Sequence, residues 1–333
     1  MKTKLSIIAA LFALILTGCA KENRDPKMVT VTVSMTSPED DAATRVSLTP
    51  DSGTPQGLIL KWETTDKLML CFEYNANYYH VDANIDPGSI SANGKTADFN
   101  FTIPTQIPSG ANFNLYVVYQ KTNGNSTDGG YFRPNTKIYD LEKNESTYIT
   151  LNQPTNNSNP RPMLYFQKTN IANTATPDIG PINLIHAGWI MAIHFKNNSS
   201  TDIDLPKYIG LAPFSFSGDY WVYNGNDIDN FTTSFDFSSH TFSSSNSDLS
   251  ELDLYINKDG SPLYGHKLAP NTATVFYRWV ASDTSIPQLF GGIEFPDETF
   301  DVTYPGLSAK TITYGKVYHI YTVWPDFAFS APY

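Results

Sequence analysis

The chain has 333 residues, of which 14% are aromatic, with 22 prolines, 20 glycines and two cysteines. This composition, rich also in Thr, Ser and Asn, indicates a β-rich and turn-rich protein, and the length suggests two domains. Acidic residues outnumber basic ones by 33 to 22, so the formal net charge is −11; this charge excludes nucleic acid as a partner, because duplex binding requires a basic surface.

The first element along the chain predicts export. Lys2 and Lys4 precede an apolar run that ends at Leu16, the arrangement of a secretory signal peptide. The run is shorter than the roughly 20 residues that a membrane-spanning helix needs. The following Thr17-Gly18-Cys19 completes a sequence that resembles the bacterial lipobox, in which the cysteine becomes the acylated N-terminus. We therefore predict a signal peptide over residues 1–18 and lipidation at Cys19; the alternatives are an ordinary signal peptide with an incidental cysteine and a membrane-spanning helix.

Removal of the signal peptide leaves 20 basic and 33 acidic residues, a formal charge of −13. With Cys19 acylated, Cys71 is the only remaining thiol, so we expect no internal disulfide despite the oxidising destination. Residues 19–27 are polar, charged and interrupted by proline, which is typical of a flexible tether.

The first predicted strand runs from Met28 to Met35, where apolar residues alternate with Thr and Ser. This period of two is the pattern of a half-buried strand. A loop rich in acidic residues follows and contains Arg45. An arginine in an exposed loop is a natural protease target, although it can equally be a solvated side chain with no such role.

The remaining pattern predicts an all-β fold of two tandem β-sandwich domains, because many short strands alternate with turn signals. The polar stretch 169–180 predicts the boundary between an N-terminal sandwich over 28–175 and a C-terminal sandwich over 176–333. Residues 182–195 are predicted as one long central strand, and 311–323 as a late hairpin. Other predicted strands span 58–62, 67–72, 97–103, 112–120, 146–151, 163–167, 208–211, 219–223, 252–256, 272–281 and 291–295.

The sequence has no nucleophile, base and orienting residue, and no cluster of metal ligands, at a recognisable spacing. We therefore expect a non-enzymatic protein with no cofactor and no bound metal. His186 and His194 would lie about 26 Å apart on one strand, too far to share a metal. The oxygen-rich segment 224–230 is the closest approach to a calcium loop, but it has neither the glycine nor the glutamate of an EF-hand.

Aromatic residues near predicted loops leave a second interpretation open. Tyr78, Tyr79, Tyr220 and Trp221 could form a glycan-binding platform, although aromatic residues in strands more often belong to a core.

In combination, these features resemble the fimbrillin superfamily of Bacteroidales, the lipoprotein-derived subunits of surface fimbriae. The resemblance rests on a series of features in a shared order: the lipobox, the first strand, Thr44-Arg45, the segment Trp62–Leu68 and a late strand that ends at Val323. It implies two β-sandwiches of the transthyretin-like Greek-key type and assembly by strand exchange.

Strand exchange would begin with removal of the first strand. A trypsin-like cut after Arg45 would allow the strand with Val29, Val31 and Val33 to leave, exposing an apolar groove with unpaired backbone groups. A strand from another subunit could then fill the groove by β-augmentation.

The expected donor strand is the C-terminal tail, residues 311–333. Within it, Tyr318, Ile320 and Thr322 share one face of a predicted strand. The expected function is thus a structural or adhesive subunit of a cell-surface fimbria. Its expected partners are other fimbrial subunits, the outer membrane through acylated Cys19, and a host or glycan receptor. The alternative is a monomeric surface lipoprotein that binds glycans through loop aromatics; the sequence does not separate stalk, tip and anchor roles.

Overall fold

A computed structural model describes residues 28–36, 39–40, 60–120, 130–141, 148–150, 162–213, 221–223, 232–245, 252–258, 261–262, 267–295, 300–325 and 329–330. In these residues the regular elements are β-strands and one 3₁₀ turn, Pro87–Ser89. The predicted all-β class is therefore confirmed. The described ranges include no helix that is both long and apolar enough to cross a membrane.

The strands of the first half are β1 (Met28–Met35), β2 (Glu39–Asp40), β3 (Lys67–Tyr74), β4 (Asn77–Ile85), β5 (Thr96–Thr102), β6 (Asn112–Gln120), β7 (Tyr131–Phe132), β8 (Ile138–Asp140), β9 (Tyr148–Thr150) and β10 (Met163–Ala172).

The strands of the second half are β11 (Ile182–Ala187), β12 (Trp189–Asn197), β13 (Ile203–Asp204), β14 (Tyr208–Pro213), β15 (Thr233–Asp236), β16 (Thr241–Ser244), β17 (Leu252–Lys258), β18 (Ser261–Pro262), β19 (Lys267–Leu268), β20 (Ala273–Val280), β21 (Ser285–Ile286), β22 (Leu289–Glu294), β23 (Phe300–Leu307), β24 (Lys310–Thr311), β25 (Lys316–Trp324) and β26 (Phe329–Ser330).

The first core lies inside a closed seven-stranded sheet with the order β1-β11-β10-β6-β3-β4-β5. Apolar residues at alternate positions of these strands point inward, as the period of two requires. Trp62 packs in this core edge-to-face against Phe99 and Tyr119, with ring centroids 4.9 and 4.8 Å apart. The aromatic rings thus fill the interior that β1 closes on one side.

The second core lies between two sheets. One has the order β2-β25-β12-β20 with β26 added to β25, and the other has the order β18-β17-β14-β22-β23 with β9 added to β17. The inward face of β12, which includes Trp189, Ile193 and Phe195, packs in this core with Trp221 and Phe276. This half of the chain is a β-sandwich.

A third core joins these two parts of the molecule. It includes Cys71 and Tyr165 from the outer face of the first sheet and Ala192 from the outer face of β12. A four-stranded sheet, β16-β15-β8-β7, covers it with aromatic rings such as Phe235. The two predicted domains therefore share an apolar junction.

Strands from the two predicted domains also pair across the boundary at residue 176. β11 pairs with β1 and β10 in the first sheet, whereas β8 and β9 pair with β15 and β17 from the second half. The division at residue 176 stays a prediction, and the described strands interlock across it.

The prediction of one long central strand over 182–195 is wrong. Gly188 has a φ of +85° and separates β11 from β12, which belong to different sheets. A Cβ at this position would lie 2.5 Å from the carbonyl oxygen of Val280. Since only glycine tolerates both the backbone conformation and this contact, the apolar run bends there instead of continuing.

The predicted late hairpin is also wrong. β24 pairs with β21, whereas β25 pairs in parallel with β12. The predicted strand over 58–62 is not present in its described part, because residues 60–62 belong to no strand. Both strands of the predicted hairpin therefore pair with strands that are distant in the sequence.

Candidate functional site

β1 is inserted between two strands that do not pair with each other in the described sheet. It is antiparallel to β5 over seven residue pairs, from Met28↔Thr102 to Ser34↔Thr96. It is parallel to β11 over three pairs, from Val33↔Ile182 to Met35↔Leu184. We call the space between β5 and β11 that β1 occupies the β1 groove.

The inward side of β1 is apolar and buried. Val29, Val31, Val33 and Met35 are each at most 8% exposed and belong to the first core. Full burial of such a side chain stabilises the folded state by about 1.5–3 kcal/mol. The predicted alternation of this strand is confirmed, and its apolar face packs β1 against the first core.

The outward side of β1 carries three hydroxyls, each hydrogen-bonded to the residue directly opposite. Thr30 Oγ1 donates to Asn100 Oδ1 at 2.6 Å, and Thr32 Oγ1 donates to Asp98 Oδ1 at 2.7 Å. Ser34 Oγ donates to Asn183 Oδ1 at 2.5 Å on the other wall. Both walls of the groove therefore contact β1 through side chains as well as backbone.

The C-terminal end of β1 lies beside the junction. The Met35 amide donates to the Lys95 carbonyl at 3.0 Å, and His186 Nε2 lies 2.8 Å from the Thr36 carbonyl oxygen. Burial lowers the pKa of His186, and nearby Lys95 lowers it further, although the Thr36 carbonyl acts in the opposite direction. The neutral imidazole that donates to Thr36 is thus the favoured form.

Beyond β1, the N-terminal segment reaches the second sandwich. β2 pairs in parallel with β25 at Glu39↔Lys316 and Asp40↔Val317. One N-terminal segment therefore adds a strand to the first sheet and a short strand to the second.

The proposed donor residues lie in β25, within the second sandwich. β25 pairs with β12 over eight residue pairs and with β26 at its other edge. Tyr318 and Ile320 are buried in the second core, and Thr322 is also buried. On the opposite face, His319 Nδ1 lies 2.7 Å from His194 Nε2. β25 therefore has two buried faces.

Several other predicted site residues cannot be compared with the structure. Cys19, Arg45, Tyr220 and the segment 224–230 lie outside the described residues. Among the described residues, no group of three or more His, Cys, Asp and Glu side chains is placed to hold a metal. Cys71 is buried, and burial together with the charge of Glu73 raises the pKa of its thiol to about 12.

The predicted aromatic platform is dispersed. Trp221 is 1% exposed and packs in the second core. The Tyr78 hydroxyl donates to Glu73 at 3.4 Å, and Tyr79 packs against the first core. These rings do not form one exposed surface.

Sequence reasoning did not find the acceptors on the groove walls. Asp98 and Asn100 alternate with Phe99 and Phe101 on β5, which was the available signal for an outward polar face. Asn183 is separated from Ser34 by 149 positions, so its role depends on the parallel pairing of β1 with β11.

The sequence matches no protein-family model, and a comparison with curated proteins gives no match. The chain is similar in structure to fimbrial and adhesin proteins of Bacteroides and Porphyromonas. A candidate cell adhesion protein of Bacteroides uniformis has 8% identity and a TM-score of 0.43, with 91% of this chain and 94% of that chain covered.

Two proteins of Porphyromonas gingivalis are also similar. The tip fimbrial protein Mfa3, with a C-terminal truncation, has 9% identity and a TM-score of 0.35 over 92% of this chain and all of that chain. The fimbrial anchor protein Mfa2 has 10% identity and a TM-score of 0.34 over 91% of this chain and 94% of that one.

Proposed function

We propose that this protein is a non-enzymatic structural or adhesive subunit of a cell-surface fimbria, in which a strand of another subunit replaces β1. The observation that supports the proposal is the position of β1 between β5 and β11, with one buried apolar face. Among the described residues, β1 is held in this position by strand pairing and by the packing of that face.

Cleavage after Arg45 would disconnect β1 and β2 from the rest of the chain. The emptied β1 groove would expose backbone donors and acceptors of β5 and β11, together with core rings such as Phe99. Such an opened edge binds an incoming strand readily, because main-chain hydrogen bonds and buried side chains both become available.

The lipid belongs to the same proposal. Acylated Cys19 and the tether 19–27 would hold the subunit at the outer membrane until cleavage. β1 would keep the groove closed during this stage, and its removal would permit assembly with other fimbrial subunits.

The donor strand is proposed to come from the C-terminal tail of a neighbouring subunit. Tyr318, Ile320 and Thr322 are buried within the second sandwich, so their donation requires prior separation of β25 from β12. The short strand β26, Phe329–Ser330, pairs with β25 at two positions, whereas β25 pairs with β12 at eight. We propose that release begins there.

The glycan-binding alternative has no comparable support in the described part of the chain. Its proposed tryptophan, Trp221, is in the second core, and Tyr78 and Tyr79 pack against different cores.

A reversible cross-link of β1 tests the proposal. The variant with Thr30→Cys and Asn100→Cys joins directly opposite residues of β1 and β5. Oxidised cells should lack polymers that persist without boiling, and a reductant should restore them. The matched control joins β3 and β4 through Lys67→Cys and Asn84→Cys and should polymerise in both conditions.

Two results would contradict strand exchange. Polymers that form equally well with β1 cross-linked would show that β1 does not leave. Mass spectrometry that finds acylated Cys19 as the N-terminus of every assembled molecule would exclude processing after Arg45.

A further inference from the structure

The outward face of β1 contains a regular chemical pattern that an apolar groove alone does not require. Thr30, Thr32 and Ser34 occupy three alternate positions, and we call them the hydroxyl ladder. Each donates to the side chain directly opposite in the strand register. By contrast, Met28 occupies the next outward position and is 73% exposed.

The three acceptors come from both walls of the β1 groove. Asn100 and Asp98 lie on β5, and Asn183 lies on β11. A strand that matches all three must therefore fit both walls. On the antiparallel wall, β5, directly opposite residues have Cβ atoms about 4.5–5.5 Å apart, a distance that a hydroxyl on Cβ spans with one hydrogen bond.

Of the three acceptors, Asp98 restricts the opposite side chain most, because it requires a hydrogen-bond donor there. An ionised carboxylate only accepts hydrogen bonds, so the side chain opposite must donate. The hydroxyl of Thr32 does so at 2.7 Å. An acidic side chain at this position would place two like charges opposite each other, which destabilises the pair. Opposite an aliphatic side chain, the Asp98 carboxylate would accept no hydrogen bond from the incoming strand's side chain, and water would take that place.

We propose that the β1 groove selects a strand with Ser or Thr at three alternate outward positions and apolar residues between them. The acceptors Asn100, Asp98 and Asn183 would act as the selecting residues. This inference rests on the proposed strand exchange and defines the chemistry of its partner.

The chain's own tail is a poor match to this rule. Within the tail, residues 311–333, no three alternate positions all carry Ser or Thr: Thr311 and Thr313 are followed by Gly315, and Ser330 is followed by Pro332. The preferred partner is therefore a strand of a different subunit that carries the complete apolar–hydroxyl alternation.

A double-mutant cycle in the uncut, full-length chain tests the ladder without strand exchange. Thr32→Val should lower the Tm by about 1–3 °C in the native background, beyond its effect in an Asp98→Ala background. The cycle is needed because valine itself favours strands, and this contribution cancels between the two backgrounds. No difference between the two backgrounds would overturn the ladder.

Peptide displacement tests selection directly. A sequence-specific protease site is inserted after Arg45 of the full chain and cut, and labelled peptides then compete with bound β1. A peptide of residues 28–36 should enter the groove, whereas one with Thr30, Thr32 and Ser34 each replaced by Ala should compete roughly tenfold less well. A peptide with Met28→Ala is the matched control and should compete like the native peptide. A tail peptide of residues 325–333 should compete less well than the native one.

Different results would contradict strand exchange and selection by the hydroxyl ladder. Equal competition by the native and alanine peptides would overturn selection by the ladder and leave strand exchange intact. If no peptide enters, strand exchange is overturned and selection falls with it, whatever the result of the double-mutant cycle.

Discussion

β1 and β25 are the two strands assigned to strand exchange, and they differ in how many of their faces are buried. β1 buries one face, and its outward hydroxyls remain near solvent. β25 buries both faces: Ile320 lies in the second core, whereas Val317, on the opposite face, lies in the third core and His319 on that face is also buried. A strand with one buried face can be exchanged at the cost of one set of contacts, whereas β25 supports two cores at once.

The two strands also pair with different neighbours. β1 is held by β5 and β11, and β25 is held chiefly by β12. Gly188 lies between β11 and β12, so one glycine divides an apolar run into a partner for each strand.

Gly188→Ala should have the largest effect on stability. The added Cβ would meet the Val280 carbonyl oxygen at 2.5 Å, in a backbone conformation with φ of +85°. We expect a loss of about 3–5 kcal/mol from combined strain and overpacking, measured by chemical denaturation. Gly110 is the matched control, because its φ is +82° but a Cβ there meets nothing within 4 Å. Its alanine variant should lose only about 1 kcal/mol; equal losses would refute the steric role of Gly188.

Truncation of β25 should cost more than truncation of β1. Ile320→Ala should lower the free energy of unfolding by about 3 kcal/mol and Val31→Ala by about 2 kcal/mol, because more buried volume is removed from β25. Ile185→Ala, at a 53% exposed position of β11, should change stability by less than about 0.5 kcal/mol. A larger loss for Val31→Ala would reverse the contrast between the two strands.

Removal of the buried carboxylate of Asp140 should weaken the four-stranded sheet β16-β15-β8-β7. Arg133 Nε donates to both oxygens of Asp140 at 2.8 Å, and Ser234 Oγ donates to Asp140 Oδ1 at 2.7 Å. Asp140→Ala leaves these donors without their acceptor and should cost about 2 kcal/mol. The control is Asp204→Ala, which breaks a more exposed ion pair with Lys267 and should cost at most about 1 kcal/mol. Matching losses would mean that the pairing of β8 with β15 does not depend on Asp140.

The smallest expected effect is a pH dependence at the end of β1. The pKa of His186 is lowered in the folded state, so the unfolded state takes up a proton first as the pH falls. Stability should therefore decrease below about pH 6.5, the usual pKa of histidine, until the folded-state pKa is reached. His186→Asn should flatten this dependence relative to the native chain, with thermal unfolding measured from pH 8 to pH 5. An unchanged slope would exclude His186 as its source.

Local patterns predicted the elements more reliably than their partners. The alternation in Met28–Met35 identified β1, and the apolar run Asn112–Gln120 identified β6. The acceptors of the hydroxyl ladder lie 66 to 149 positions from their donors. No local pattern specifies such pairs, because they depend on which strands become neighbours.

The all-β class and the two faces of β1 follow from the local sequence pattern, because side chains alternate along any extended strand. The tertiary structure decided that residues 182–197 form two strands in two sheets, since the bend at Gly188 depends on the approach of the Val280 carbonyl. It likewise decided that β1 and β25 have one and two buried faces. The burial of the second face of a strand depends on what packs over it, and in β25 the third core covers Val317 on that face.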